Sequence, residues 1–258
     1  MNSSATAFDA WSGLLSVASY LIVGIAAFAS APRDTRARVF LVVAFSSVLP
    51  YALPALMWWN GGSVAQRPSI VTGVAVSLAA GGVALFHFMQ VFPRRRPFIQ
   101  SRGVWIAGCY AVLPLLAAAT GLLLSRVLVA ASASGDPYVG DAYVPIDVMS
   151  ALGLLVIGMP TILIVGVVLP FAGLMSLYKS WQDARREGRS DARVTTFWML
   201  ISQLAGGVLT ILIVPVLHFA APTGPWVTIA SALLFGFGLL MPVAFAVAVW
   251  KYRLLPSR

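Results

Sequence analysis

Acidic side chains are scarce in this sequence: eight Asp and Glu stand among 258 residues, against 17 Lys and Arg. Lysine occurs only at Lys179 and Lys251, histidine only at His87 and His218, and cysteine only at Cys109. A single cysteine rules out an internal disulfide and any zinc site built on cysteines. The little charge present also avoids the apolar stretches, none of which contains an acidic residue or a lysine in its interior. Ionisable groups inside a membrane mark proton relays and ion paths, so their absence argues against proton-coupled transport, pumping and conduction of charged solutes. A retinal-binding rhodopsin is excluded as well, since it needs a lysine within its seventh span and Lys251 lies at the rim. The Asp-Arg-Tyr and Asn-Pro-x-x-Tyr patterns of eukaryotic G-protein-coupled receptors are missing too.

What the sequence has is apolar length. Sixty per cent of it is hydrophobic, 10% is charged, and the mean hydropathy is +0.91. That leaves too little polar surface to cover a soluble domain. About 20 apolar residues cross a hydrocarbon core of about 30 Å. Seven such stretches are predicted, over residues 8–29, 38–59, 69–92, 104–125, 147–178, 195–219 and 226–250. The fifth is too long for one straight crossing, so it tilts or projects beyond the membrane. No segment has the alternating pattern of an outer-membrane barrel strand. Backbone groups in lipid need internal partners, which leaves an all-α bundle of seven transmembrane helices, a single domain over residues 1–258.

Charge placement tests this partition independently. Arg33, Arg36 and Arg38 share one side with Arg94, Arg95, Arg96 and Arg102, with Lys179, Arg185, Arg186, Arg189 and Arg193, and with the tail from Lys251. That side holds fifteen of the 17 basic residues, and only Arg67 and Arg126 fall on the other. The positive-inside rule then puts the N-terminus outside and the C-terminus in the cytoplasm. Trp11, Trp58, Trp59 and Trp226 fall at the predicted outer interface, and Trp105, Trp181, Trp198 and Trp250 at the inner one, as an amphipathic belt requires. The net charge of +9 is thereby explained by topology, and no nucleic-acid partner is implied. The first ten residues carry no basic group, so the first span itself, rather than a cleaved signal peptide, is expected to direct insertion.

Two connections are long. Outside, "RVLVAASASGDPYVGDAYVPI" (126–146) reads as a linker or an ordered cap. Inside, "YKSWQDARREGRSDAR" (178–193) reads as a helical extension that breaks near Gly188. Gly73, Ser77 and Gly81 form a smooth strip for close packing by a neighbouring helix. Prolines recur in the spans, among them Pro114, Pro160, Pro170 and Pro242, and each is expected to kink its helix.

Polar candidates for a site are few. Tyr51, Trp58, Trp59 and Asn60 near the outer end of the second span, with His218 and Trp226, can line an aromatic outer pocket, although an interfacial belt accounts for the tryptophans equally well. His87 lies six residues before Pro93, about 9 Å from the inner boundary. His218 is on the opposite side, so the pair cannot share a metal ion or a haem, and hydrogen bonds to neighbouring helices are the expected role. No nucleophile, base and orienting group occur together; neither enzymatic activity nor a cofactor is expected.

Two motifs carry a family resemblance. "LFHFMQVFPRRRP" (85–97) resembles the signature that closes the third span in the N-terminal seven-transmembrane sensor region of bacterial histidine-kinase-type signalling proteins, with His87, Phe92 and Pro93 at the matching positions. "LLMPVAFAVAVWKYRLLP" (239–256) resembles the end of that region, with Tyr252, Arg253 and Leu254 matching its Tyr-Arg-Leu element. The resemblance implies a sensor in a bacterial inner membrane. Members of that family continue into a kinase, cyclase or phosphatase domain, whereas this sequence stops at Arg258. Three expectations follow: a sensor that acts through separate cytoplasmic partners, a non-catalytic structural or accessory subunit of a membrane complex, or a piece of a longer chain.

Overall fold

The computed structural model describes residues 3–59, 68–93, 103–133, 148–208 and 225–250, which are almost wholly helical and contain no strand. Seven helices result: α1 (Ser3–Ser30), α2 (Thr35–Trp59), α3 (Pro68–Val91), α4 (Gly103–Ala133), α5 (residues 148–186), α6 (Ser190–Val208) and α7 (Pro225–Trp250). Five contain stretches long and apolar enough to cross a membrane: Ala10–Ser30, Thr35–Leu53, Pro68–Val91, Gly103–Val127 and Ser150–Arg186. A further apolar stretch, Leu239–Trp250, lies in α7. The chain is a helical membrane protein.

Successive helices pack side by side, and two further contacts close the assembly. The last helix, α7, returns to α1, and α3 touches the second half of α5. A ring of α1, α2, α3, α5, α6 and α7 results, with α4 set against α3 and the first half of α5. Several elements extend past their predicted bounds, among them α1, which begins at Ser3 rather than residue 8. Helix α4 continues to Ala133 rather than ending near residue 125, because Val127–Ala133 is rich in good helix formers and the first breaker is Gly135. Part of the predicted outer connection is thus helix, and residues 134–147 lie outside the described residues. Helix α6 begins at Ser190, five residues earlier than predicted.

The fifth helix is built around its prolines. It contains two π-helical turns, Leu154–Gly158 and Ile164–Val168, and Pro160 and Pro170 each stand two residues beyond one. Proline offers no N–H, and its ring crowds the carbonyl four residues back. The residue just before each proline bonds one position farther back than in an α-helix: Met159 N–H donates to the Leu154 carbonyl, and Leu169 N–H to that of Ile164. Widening the turn in this way keeps the helix continuous through two prolines. The apolar stretch of α5 has 37 residues, about 55 Å at 1.5 Å per residue. That exceeds the hydrocarbon thickness of about 30 Å. Its end is capped where the sequence suggests: Gly188 has φ +67°, Gly188 N–H donates to the Arg185 carbonyl, and Arg189 N–H to that of Ala184. This is a Schellman turn, whose left-handed position glycine occupies without strain.

Small residues set the helix spacing. Gly73 and Gly81 of the predicted strip face Leu49 and Ser46, side chains of α2. The tightest approach to a backbone lies on the other side of α3, where a Cβ on Gly121 of α4 would stand 2.7 Å from the Cα of Thr72. Gly108 of the same helix has open space around it. Gly121→Val is therefore expected to cost about 1–3 kcal/mol by overpacking and to lower the melting temperature in detergent, while Gly108→Ala leaves it unchanged. Equal melting of both variants would contradict the packing of α3 on α4.

Candidate functional site

The end of α3 is where the structure concentrates its contacts. Phe88 and Phe92 lie one turn apart, so both rings leave the same side of the helix. Phe40, near the start of α2, and Phe245, near the end of α7, reach the same place from neighbouring helices. All four rings are fully buried. Phe40 stacks on Phe245 with centroids 4.1 Å apart, and Phe88 meets Phe245 edge-on at 5.1 Å. Phe92 lies 5.4 Å from Phe88 and 6.2 Å from Phe245. Stacked and edge-on pairs each add about 0.5–1.5 kcal/mol beyond the area they bury. Tyr20 of α1 extends the cluster, 6.2 Å from Phe40 and 5.8 Å from Tyr51.

A sulfur atom joins three helices beside this cluster. The Met241 thioether of α7 accepts the Tyr20 hydroxyl at 3.8 Å and the Gln203 amide N–H of α6 at 3.0 Å. Thioethers are weak acceptors, but these donors sit among apolar side chains where few alternatives exist. On the other flank of α3, the Ser176 hydroxyl of α5 is shared between the Gln90 side-chain carbonyl at 3.1 Å and the Met89 backbone carbonyl at 3.3 Å. A Cβ on Gly173 would meet the Met89 sulfur, so the absence of a side chain there gives Met89 room against α5.

An ion pair closes the end of the cluster. Asp34 precedes α2, and its Oδ1 accepts the Arg36 backbone N–H at 2.8 Å, as an N-cap aspartate does. The Arg36 guanidinium folds back on the same carboxylate, with Nε 3.0 Å from Oδ1 and Nη2 2.7 Å from Oδ2. Its remaining arm, Nη1, donates to the Pro93 carbonyl at 3.0 Å. One arginine thus braces the N-cap aspartate of α2 and holds the end of α3. The pair is largely sheltered, with side chains 18% (Arg36) and 11% (Asp34) exposed. Burial alone pushes the Asp34 carboxyl up, but the hydrogen bonds from the Arg36 guanidinium and backbone, the Arg36 charge and the Ala37 N–H outweigh it. The carboxyl is left below its ordinary range.

The predicted site residues are distributed unevenly. Phe92 and Pro93 sit in this junction, Phe92 in the ring cluster and Pro93 as acceptor for Arg36. His87 belongs to the adjoining face, where its Nδ1 lies 3.3 Å from the Tyr110 hydroxyl of α4, with the two rings edge-to-face at 5.9 Å. Of the outer-pocket candidates, Tyr51 turns inward onto Tyr20, whereas Trp59 is 60% exposed. Trp58 and Trp226 lie on α2 and α7 without described side chains, and Asn60, His218, Tyr252, Arg253 and Leu254 lie outside the described residues. Among the described residues no three His, Cys, Asp or Glu side chains gather. Sequence reasoning missed Phe40, Phe88 and Phe245, and it took Arg36 as a topology charge alone. The i, i+4 spacing of Phe88 and Phe92 was a usable signal, as was the N-cap aspartate two residues before Arg36. Comparison with known protein families and with curated proteins finds no match for this chain.

The arrangement is a packed junction, in which side chains of neighbouring helices hold the end of α3. Arg36→Gln is expected to cost about 1–3 kcal/mol, since it removes charged hydrogen bonds from a sheltered site. The depressed Asp34 carboxyl stabilises the fold above the ordinary aspartate value of about 3.9, and that stabilisation disappears as pH falls through its lower folded value. Thermal melts in detergent from pH 7 to pH 3 should show a drop below about pH 4 that is smaller in Asp34→Asn. Parallel pH profiles for the two proteins would exclude Asp34 as the responsible group.

Proposed function

We propose that this chain is a receptor-like signalling protein with seven spans in a bacterial inner membrane, N-terminus outside and C-terminus cytoplasmic, acting through separate cytoplasmic partners and without catalysis of its own. The observation that carries this reading is the contact of the sensor-like motif at the end of α3 with the last helix. Phe88 and Phe92 bear directly on Phe245, so a displacement of α3 is felt by α7 without any intervening loop. The Arg36 bond to Pro93 extends the same junction to the turn between α1 and α2, on the side that carries fifteen of the 17 basic residues. Partners that read the state of the bundle would meet it there. Exposed indoles at the helix ends, including Trp11, Trp59, Trp105 and Trp250, support the orientation of the spans. The ligand in this reading is uncharged or amphipathic, since the apolar stretches offer no acidic group or lysine ahead of Lys179 and Asp183 in the last turns of α5.

A second reading, a non-catalytic accessory subunit of a membrane complex, is favoured by the outward side of α5. Leu155, Val156, Ile162, Val168 and Phe171 are all exposed there, a surface that suits another membrane protein as well as lipid.

Gentle purification from the source membrane, with mass spectrometry of every protein and small molecule recovered, separates the two. Recovery with a kinase, phosphatase or regulator, or with one bound small molecule, is the expected result. Stoichiometric recovery inside a larger assembly would replace the sensor with the subunit. For topology, a fluorescent protein fused after Arg258 should fluoresce, and alkaline phosphatase inserted in 60–67 should be active; the reverse pattern refutes the orientation. Once a partner is known, His87→Leu should insert normally yet lose output, and unchanged output would remove His87 from the signalling path.

A further inference from the structure

The last turns of α5, the charged end of its 37-residue stretch, carry a patterned face. Tyr178, Trp181, Gln182, Arg185 and Arg186 follow at three- and four-residue steps, which puts them on one side of the helix. They line an open groove of about 520 Å³. The Tyr178 and Trp181 rings stack with centroids 6.0 Å apart, and the Arg185 guanidinium carbon stands 5.9 Å from the centre of the Trp181 ring. The opposite side of the same turns, Leu177, Ser180 and Ala184, is buried against the bundle. One and two turns back stand Met175 and Phe171, both exposed. Nearby Arg189 is engaged by Glu187 at 2.6 Å and adds little free charge.

The chemistry of this face changes in a fixed order: aliphatic and aromatic surface, then two stacked amphipathic rings, then two guanidiniums. A phospholipid presents the matching order of acyl chain, ester region and phosphate. We propose that this face binds the headgroup of an anionic phospholipid, with Arg185 and Arg186 holding the phosphate and Tyr178 and Trp181 lying along the ester region. Arg185 lies within cation–π reach of Trp181, and both it and Arg186 are exposed, so their guanidinium N–H groups are available to phosphate oxygens. Gln182, on the same side, supplies an amide donor. A zwitterionic headgroup carries an ammonium that the two arginines repel, so the face discriminates by charge as well as by phosphate geometry. The proposal requires only that this end of α5 meet the membrane surface, and it holds for sensor and accessory subunit alike.

The test uses the full chain in detergent, with phosphatidylglycerol or phosphatidylcholine of matched acyl chains added and bound lipid counted by native mass spectrometry. Wild type should retain phosphatidylglycerol in preference to phosphatidylcholine. Arg185→Gln and Arg186→Gln should each weaken that retention about fivefold, and the double variant more. Trp181→Leu, which keeps both charges, should weaken it as well, while Arg126→Gln on α4 should not. Size-exclusion profiles check folding, and each single variant carries the test if the double variant aggregates. Unchanged retention in the arginine variants, or equal loss in Arg126→Gln, overturns the site. Displacement of the lipid by millimolar inorganic phosphate would also overturn it, by revealing a site for soluble phosphate.

Discussion

Phe40 lies against Phe245 at 4.1 Å between ring centres, a contact that ties α2 to α7 across the core where the last helix returns to the first. Within a bilayer, apolar side chains gain nothing by leaving lipid for protein, so helices associate through close packing and a few polar ties. A ring pair supplies more dispersion contact than two aliphatic chains, and it does so only in a narrow range of geometries. Four buried phenyl rings from α2, α3 and α7 therefore give the closure its specificity as well as its strength. The small residues serve the same end from the other direction. Gly121 lets α4 lie against the backbone of α3, and Gly173 admits Met89, so contact area is won by bringing helices nearer rather than by enlarging side chains.

Polar ties then fix what packing alone leaves free. The ring contacts stop short of the turn between α1 and α2, where the directional hydrogen bonds of Arg36 to Asp34 and Pro93 take over. Their position at the start of α2, outside the most apolar part of the helix, spares the charges from full desolvation. Deeper in the bundle the ties are neutral: Tyr20 and Gln203 on the Met241 sulfur, and Ser176 on Gln90. The grading from charged to neutral follows the falling polarity of the surroundings. It also explains why α3, which touches α2, α4 and α5, is held by several different kinds of contact.

Much of the architecture was legible because it rests on simple periodicities. Helix positions follow from apolar run lengths, and the break at Gly188 follows from a glycine between two charged helical segments. The extra turns of α4 were missed because a serine- and alanine-rich stretch is compatible with both loop and helix, and only the polar residues beyond it looked decisive. The junction was only half visible. Phe92 and Pro93 could be singled out by motif, yet the partners of Phe92 lie on α2 and α7, and no local pattern announces a pairing between positions so far apart in the chain. Arg36 shows the same limit: its bond to the capping Asp34 is local and readable, while its bond to Pro93 exists only in the folded bundle. Tyr51, grouped with the outer tryptophans by its place in the sequence, turns to Tyr20 instead, because a helix distributes neighbouring residues around its whole circumference.

The two widened turns of α5 affect everything that follows them. Each inserts one residue into a helix that otherwise advances by 3.6 residues per turn, and so turns all later side chains by about 100° relative to an unbroken helix. The apolar side before Leu154 and the apolar side after Val168 consequently belong to different rotational phases, and no single helical wheel describes both. The prolines thus act as phase shifters for the segment beyond them. They determine which way Tyr178, Trp181 and Arg185 look, although Pro170 stands eight residues before the first of these and the widened turns lie farther back still.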